Sequence, residues 1–174
     1  MIPILHSERL VYRPIELSDD EHLFELDSNP NVHRYLGNSP VTSIEQVRAY
    51  IANIQGQYER NGIGRMAVII KETGEFTGWA GLKLEHNENS HDQFYDLGYR
   101  FIERYWGRGY ATEAAQFFVA YGFKELKLPV INGSALAGNT GSRRALEKAG
   151  LKYVESYDYA GEEACWYEMK NPYL

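Results

Sequence analysis

The chain has 174 residues, 44% of them hydrophobic and 24% charged. Those proportions exclude disorder, collagen-like repeats and coiled coil, and the length predicts one domain spanning residues 1–174 with room for a core. Lys and Arg number 18 against 24 Asp and Glu, a net charge of −6, which argues against nucleic-acid binding through a basic surface and mildly favours cationic or amine partners.

Residues 9–14 (Arg-Leu-Val-Tyr-Arg-Pro) read as a first strand ending at proline. Ser18-Asp-Asp-Glu21 fits a capping box opening a short amphipathic helix through Leu23, Phe24 and Leu26, with a second helical piece around residues 32–36. Ser43-Ile-Glu-Gln46 is another capping box. Behind it Val47, Tyr50, Ile51, Ile54 and Tyr58 recur at helical spacing, and Gly62 ends the run. Residues 66–71 and 76–85 predict antiparallel strands joined at Thr73-Gly74, the second containing Gly78 and Gly81 as marks of a bulge or close backbone approach. Residues 86–93 are polar and read as a loop, and 94–102 as the next strand.

A long helical run over 110–126 then leads to a strand over 130–136. A strand, helix and strand of this length form a crossover, so the two strands should be parallel. Asn139-Thr-Gly-Ser142 opens a short helix closed at Gly150, and 151–157 with 164–169 form a last hairpin. The order predicts an α/β (α+β) fold: a mixed sheet of about seven strands with helices on both faces.

No stretch approaches the ~20 apolar residues of a membrane helix. No basic-then-apolar N-terminal signal is visible, and Cys165 is the only cysteine, which excludes an intrachain disulfide and a cysteine metal cluster. A cytoplasmic protein without membrane or nucleic-acid partners is the expectation. Cys165 beside Trp166 reads as a small buried hydrophobe. His86, Glu88, His91 and Asp92 crowd one segment, but their spacing fits no rigid metal motif, so no metal is expected and a hairpin loop is the reading.

The most informative segment is Arg104-Tyr-Trp-Gly107-Arg-Gly109-Tyr-Ala111-Thr, between a strand and a helix. Its glycines permit close approach of backbone to ligand, and the helix start offers free N–H groups to a diphosphate; a plain turn is the alternative. The spacing fits neither a Walker loop nor a dinucleotide fingerprint. Trp106 could stack on a ligand or pack beneath the loop. In the second segment Asn139 reads as a cap and Ser142 places a hydroxyl in the first turn.

Together these segments resemble the GNAT superfamily of N-acetyltransferases, in its RimJ/RimL-like branch. The resemblance runs from Ser7-Glu-Arg-Leu-Val-Tyr-Arg-Pro14 through Gly78-Trp-Ala-Gly-Leu82 and Asp96-Leu-Gly-Tyr99. It continues through Arg104-x-x-Gly107-x-Gly109-Tyr-Ala-Thr-Glu-Ala to Asn139-x-x-Ser142 and Glu147-Lys-Ala-Gly-Leu151. It implies a partly splayed sheet and acetyl-CoA as cosubstrate. Gly107, Arg108, Gly109, Tyr110 and Ala111, with Arg104 and Thr112 nearby, would hold the pyrophosphate. The pantetheine would pair along the strand at Tyr99, Arg100, Phe101 and Ile102, and Asn139 and Ser142 would also contact the cofactor, the Ser142 hydroxyl near the CoA sulfur.

The implied activity is direct acetyl transfer to a primary amine, of a protein N-terminus or a small molecule, by a monomer or homodimer. Ser142 would assist the leaving thiolate. Asp96, with Glu85 second, would guide deprotonation of the amine, although the family often carries Glu where Asp96 stands. A CoA-binding module without catalysis is the alternative, and phosphoryl transfer lacks a Mg²⁺-binding pattern.

Overall fold

The computed structural model describes residues 1–174. Eight strands form one mixed sheet: β1 (Leu5–His6), β2 (Leu10–Pro14), β3 (Met66–Ile70), β4 (Phe76–Glu88), β5 (His91–Phe101), β6 (Val130–Leu136), β7 (Lys152–Tyr159) and β8 (Glu162–Lys170), in the order β1-β2-β3-β4-β5-β6-β8-β7. The helices are α1 (Asp20–Asp27), α2 (Pro30–His33), α3 (Ile44–Asn61), α4 (Tyr110–Lys124) and α5 (Thr140–Lys148). The eighth strand is β1, a two-residue edge piece whose shortness hides it from pattern reading. No helix is long and apolar enough to cross a membrane.

Two adjacent residues show how the helices divide. Tyr99 reaches α5, donating to the Ser142 carbonyl, while Arg100 reaches the Asp27 carboxylate of α1. Neighbouring strand residues point to opposite faces, so α5 and α1 cover opposite sides of the sheet. The α4 face is strongly aromatic: Tyr12 of β2 stacks on Phe117 at 4.8 Å and meets Phe118 edge-on at 4.9 Å. On the other face α3 buries Val47, Ile51 and Ile54, the residues its periodicity marks.

The capping box at Ser43 forms as expected, with Ser43 Oγ accepting from Gln46 N and Gln46 Oε1 from Ser43 N. The one at Ser18 does not. A short 3₁₀ turn, Leu17–Asp19, starts at Glu16, and Asp19 accepts from the Glu16 amide at 2.9 Å. Arg13 holds Asp19 by two 2.8 Å bonds, so a buried, charge-assisted carboxylate outcompetes the Ser18 hydroxyl. The second helical piece sits earlier than 32–36, at Pro30–His33, because Asn29 caps it through the Asn31 amide.

The expected loop at 86–93 is instead the tip of a long hairpin. β4 and β5 pair out to Glu88↔His91 across an Asn89-Ser90 turn with φ of 45° and 61°. The tip is polar yet ordered because it docks on the last hairpin: Tyr157 Oη donates to Glu88 at 2.7 Å and His91 stacks on Trp166 at 4.7 Å. Gly78 and Gly81 do mark close backbone approach. A Cβ on Gly78 would lie 2.1 Å from the Arg100 carbonyl oxygen, and the β3–β4 register shifts beside it.

The parallel crossover is present and minimal. β5 and β6 pair at a single position, Asp96↔Asn132, and no further backbone pair joins them.

Candidate active site

The loop between β5 and α4 is built to leave amides free. Phe101 ends β5, a 3₁₀ turn at Glu103–Tyr105 follows, and Gly107 (φ 75°) and Gly109 (φ 80°) both adopt left-handed backbone. Gly109 is the N-cap of α4 and, lacking a side chain, caps nothing. None of the amides of residues 107–112 donates to a protein acceptor; the first to do so is Glu113, to the Gly109 carbonyl. Six consecutive N–H groups at the positive end of a 15-residue helix form an anion cradle.

The N-terminal arm braces this cradle. Glu113 accepts from Ser7 Oγ at 2.6 Å, the Arg9 amide at 2.8 Å and Arg9 Nε at 2.6 Å. Arg9 also donates to the Arg108 carbonyl and lies 4.7 Å from the Tyr110 ring centroid. Of the two arginines singled out in the loop, Arg104 pairs with Glu25 of α1, whereas Arg108 has no ion-pair partner and rests 5.6 Å from the Tyr105 ring. Trp106 is half-exposed and donates Nε1–H to the Phe101 carbonyl, while the Ile102 amide goes to Thr77. The end of the expected pantetheine stretch is therefore already hydrogen-bonded, leaving the free β5 edge to run from Leu97 toward Phe101.

Across the seam, the Asn139 side chain accepts from the Ser142 amide at 3.3 Å, the expected cap. Tyr99 donates to the Ser142 carbonyl at 2.7 Å and lies 3.3 Å from Ser142 Oγ. Burial raises the Tyr99 pKa, so its hydroxyl stays protonated at neutral pH and keeps its bond to the Ser142 carbonyl. The sequence marks Tyr99 only as backbone; its side chain is a second hydroxyl beside Ser142.

Asp96 sits at the one point where β5 meets β6 and is bound by Arg65: Nη2 to Oδ2 at 2.5 Å and Nη1 to the Asp96 carbonyl at 2.7 Å. Oδ1 carries no protein hydrogen bond, and the side chain is 17% exposed. Burial raises the Asp96 pKa above the ordinary carboxylate value, with Arg65 opposing it. Glu85 lies farther out on β4, paired with Lys83 at 3.0 Å. Sequence reasoning missed Arg65, because a lone arginine before a strand carries no pattern.

Cys165 is buried on β8. His86, Glu88, His91 and Asp92 are not gathered into a metal-ligating group; His91 Nδ1 lies 2.7 Å from the Asn89 carbonyl and Glu88 takes the Tyr157 hydroxyl.

A cradle of free amides at a glycine-led helix start, beside a parallel seam joined at one residue pair, can hold a diphosphate and an extended amide chain together. Comparison with known proteins gives that geometry its family: the profile of the acetyltransferase (GNAT) domain matches residues 9–152. The chain belongs to the GNAT acetyltransferase family. An uncharacterized N-acetyltransferase, p20 of Bacillus licheniformis, is 35% identical over 143 residues, covering 82% of this chain and 78% of the relative. An FsC-acetyl coenzyme A-N(2)-transacetylase of Aspergillus fumigatus is 29% identical over 160 residues, covering 89% and 67%. The crystal structure of a GNAT-family acetyltransferase from Bacillus anthracis superposes with a TM-score of 0.81 at 27% identity, covering 97% of this chain and 99% of that one. This GNAT protein is thus an acetyl-CoA-dependent acetyltransferase with the mixed α/β fold of its family.

Proposed function

We propose that this acetyltransferase moves an acetyl group from acetyl-CoA directly to a primary amine, within a single domain of the RimJ/RimL-like branch. The observation that carries the reading is the cradle of six unpartnered amides, residues 107–112, opening onto a β5–β6 seam paired only at Asp96↔Asn132. The diphosphate takes the cradle, with Arg108 as the unpaired cation beside it. The pantetheine amides complete the free edge of β5 along Leu97 and Tyr99. The thioester then reaches the hydroxyls of Ser142 and Tyr99, which are 3.3 Å apart. A hydroxyl donor there stabilises the departing thiolate or returns a proton to it.

The amine must lose a proton before it attacks, since an alkylammonium has a pKa near ~10. Asp96 is the carboxylate best suited to guide this. One of its oxygens is anchored by Arg65, the other is free, and burial moves its pKa toward the working range of a general base. Glu85, paired with Lys83 and 31% exposed, is the second choice. The named activity of the Aspergillus relative, an acetyl-CoA N(2)-transacetylase, supports nitrogen as the acceptor atom.

The test is free-thiol release from acetyl-CoA with a panel of peptides, polyamines, amino acids and aminoglycosides. Amine-dependent release with a matching N-acetyl product is expected. Release only with hydroxyl or thiol acceptors would overturn the amine assignment.

A further inference from the structure

Arg65 is an unusual side chain for its place. It precedes β3, is 7% exposed, and carries a full charge under the centre of the sheet. Its guanidinium donates to three oxygens: the Gly81 carbonyl on β4 at 2.6 Å, and the Asp96 carbonyl and carboxylate on β5. Its carbonyl accepts from the Tyr58 hydroxyl of α3, which also accepts from the Ile15 amide, so the residue is fixed from both ends. The indole of Trp79 lies 5.2 Å from this guanidinium and 5.1 Å from that of Arg100. Gly98 is small for the same reason: a Cβ there would meet Arg65 Nη2 at 2.7 Å.

These contacts fall at a particular place. Asp96 is the last residue of β5 paired to β6, and Gly98 and Arg100 lie on the stretch whose other edge is free. A buried guanidinium bonded to a main-chain carbonyl and to that residue's own carboxylate resists both translation and rotation of the strand. Arg100 extends the restraint by donating to Asp27, which lies 3.1 Å from His33 Nε2, tying the far end of the stretch to α1 and α2.

We infer that Arg65 is the positioning residue of the cofactor slot: by clamping Asp96 against β4 it sets where β5 leaves β6, and so the register in which a pantetheine arm meets the free strand edge. Arg65 touches no reacting atom. Its effect reaches the cofactor through the backbone of β5. The inference rests on the reading that acetyl-CoA lies in this seam.

The experiment compares CoA with 3′-phospho-ADP, the same molecule without its pantetheine arm, by calorimetric titration of the wild-type chain, Arg65→Met, Arg65→Lys and Gly109→Ala. If Arg65 sets the slot, Arg65→Met weakens CoA about tenfold, roughly 1.4 kcal/mol, while 3′-phospho-ADP stays within about twofold. Arg65→Lys, which keeps a cation beside Asp96 but cannot bond all three oxygens, falls between. It also serves as the folded test case if the methionine variant does not fold. Equal losses for both ligands, or an unchanged CoA affinity in folded Arg65→Lys and Arg65→Met, would overturn the proposal. Gly109→Ala separates the two readings: it should weaken both ligands. If it does so while the Arg65 variants do not discriminate, the cradle stands and the role of Arg65 falls. If neither substitution affects CoA, both fall.

Discussion

In the proposed reaction Ser142 and Asp96 carry the chemistry, and each has a structural job to separate from a catalytic one. The Ser142 amide is capped by Asn139 and its carbonyl receives Tyr99, so main-chain groups anchor the residue while its hydroxyl contributes little to the helix. Ser142→Ala should therefore lower kcat about ten- to a hundredfold, the range of a single lost donor to developing charge, with the melting temperature nearly unchanged. Turnover and calorimetry on the same preparation check this, and a fall in stability with normal kcat would return Ser142 to a purely structural role. For Asp96 the test is pH. If the ionised Asp96 carboxylate is the base, as proposed, activity falls as pH drops through its pKa, and burial places that limb above the ordinary carboxylate range. Asp96→Asn should lower kcat/KM and abolish the limb; Glu85→Gln should leave it. A wild-type profile in both variants would mean that solvent takes the proton.

At the scale of elements, the link from β5 to α4 shows what sequence can and cannot disclose. The glycines at 107 and 109 announce a turn at a helix start, and both are in left-handed backbone. The amphipathic period of α3, its capping box and the Asn139 cap are equally legible, since each is a local interaction between residues a few positions apart. The failures are long-range. Ser18 looks like a cap until Arg13, on the preceding strand, fixes Asp19. Residues 86–93 look like a loop because the groups that order them, Tyr157 and Trp166, lie some seventy residues on in the chain. Two expected outcomes belong to this scale. Gly109→Ala has room for its methyl, the nearest atom being Arg9 Nη2 at 3.4 Å, but must hold φ at 80°. That conformation costs about 1 kcal/mol, a shift in melting temperature of roughly 2–4 °C. A CoA affinity about tenfold weaker, beyond any loss of folded protein, is expected because the amides of 107–112 no longer hold their arrangement. The second concerns Glu113. Burial pushes its pKa up, but the hydrogen bonds from Ser7 and from the amide and side chain of Arg9 outweigh it and hold the carboxyl below its usual value. A depressed folded pKa stabilises the fold above the unfolded value, near ~4.3, and that stabilisation is lost as pH falls through the folded one. The melting temperature of Glu113→Gln should thus lie below wild type at neutral pH and converge with it in acid. A gap that persists unchanged to low pH would assign Glu113 to packing alone.

The whole molecule is two sheet segments, β1–β5 and β6–β8, that meet at one backbone pair and are otherwise held together by side chains. Tyr99 bonds to α5, and the hairpin tip reaches across β6 to place Phe94 and His91 against Trp166, and Glu88 and Asn89 against Tyr157 and Glu155. With one backbone pair between the strands, the proposed cofactor would find unpaired groups on the edge of β5. The seam survives because α4 packs on β4 and β5 on one side of the gap and on α5 on the other. Single-sequence reading discloses the parallel crossover but not how little of it is paired; that detail entered only through family resemblance, because the absence of hydrogen bonds leaves no local pattern. The arrangement predicts where cofactor binding will be felt. A ligand that pairs with the seam adds hydrogen bonds where the two segments are weakest, and at about a hundred times its Kd it stabilises the fold by about 2.7 kcal/mol. Hydrogen exchange with and without CoA should show new protection at the amides of residues 107–112 and along the free edge of β5 after Asp96, with β2 and β3 unchanged. Tyr157→Phe, which removes the hydroxyl that strap-locks the hairpin tip to Glu88, should raise exchange in β7 and at the tip in the free protein while leaving the cradle amides protected by CoA. Protection spread evenly over all eight strands would mean that CoA tightens the fold globally, and protection confined to residues 107–112 would mean that only the nucleotide end is held and the seam is not its slot.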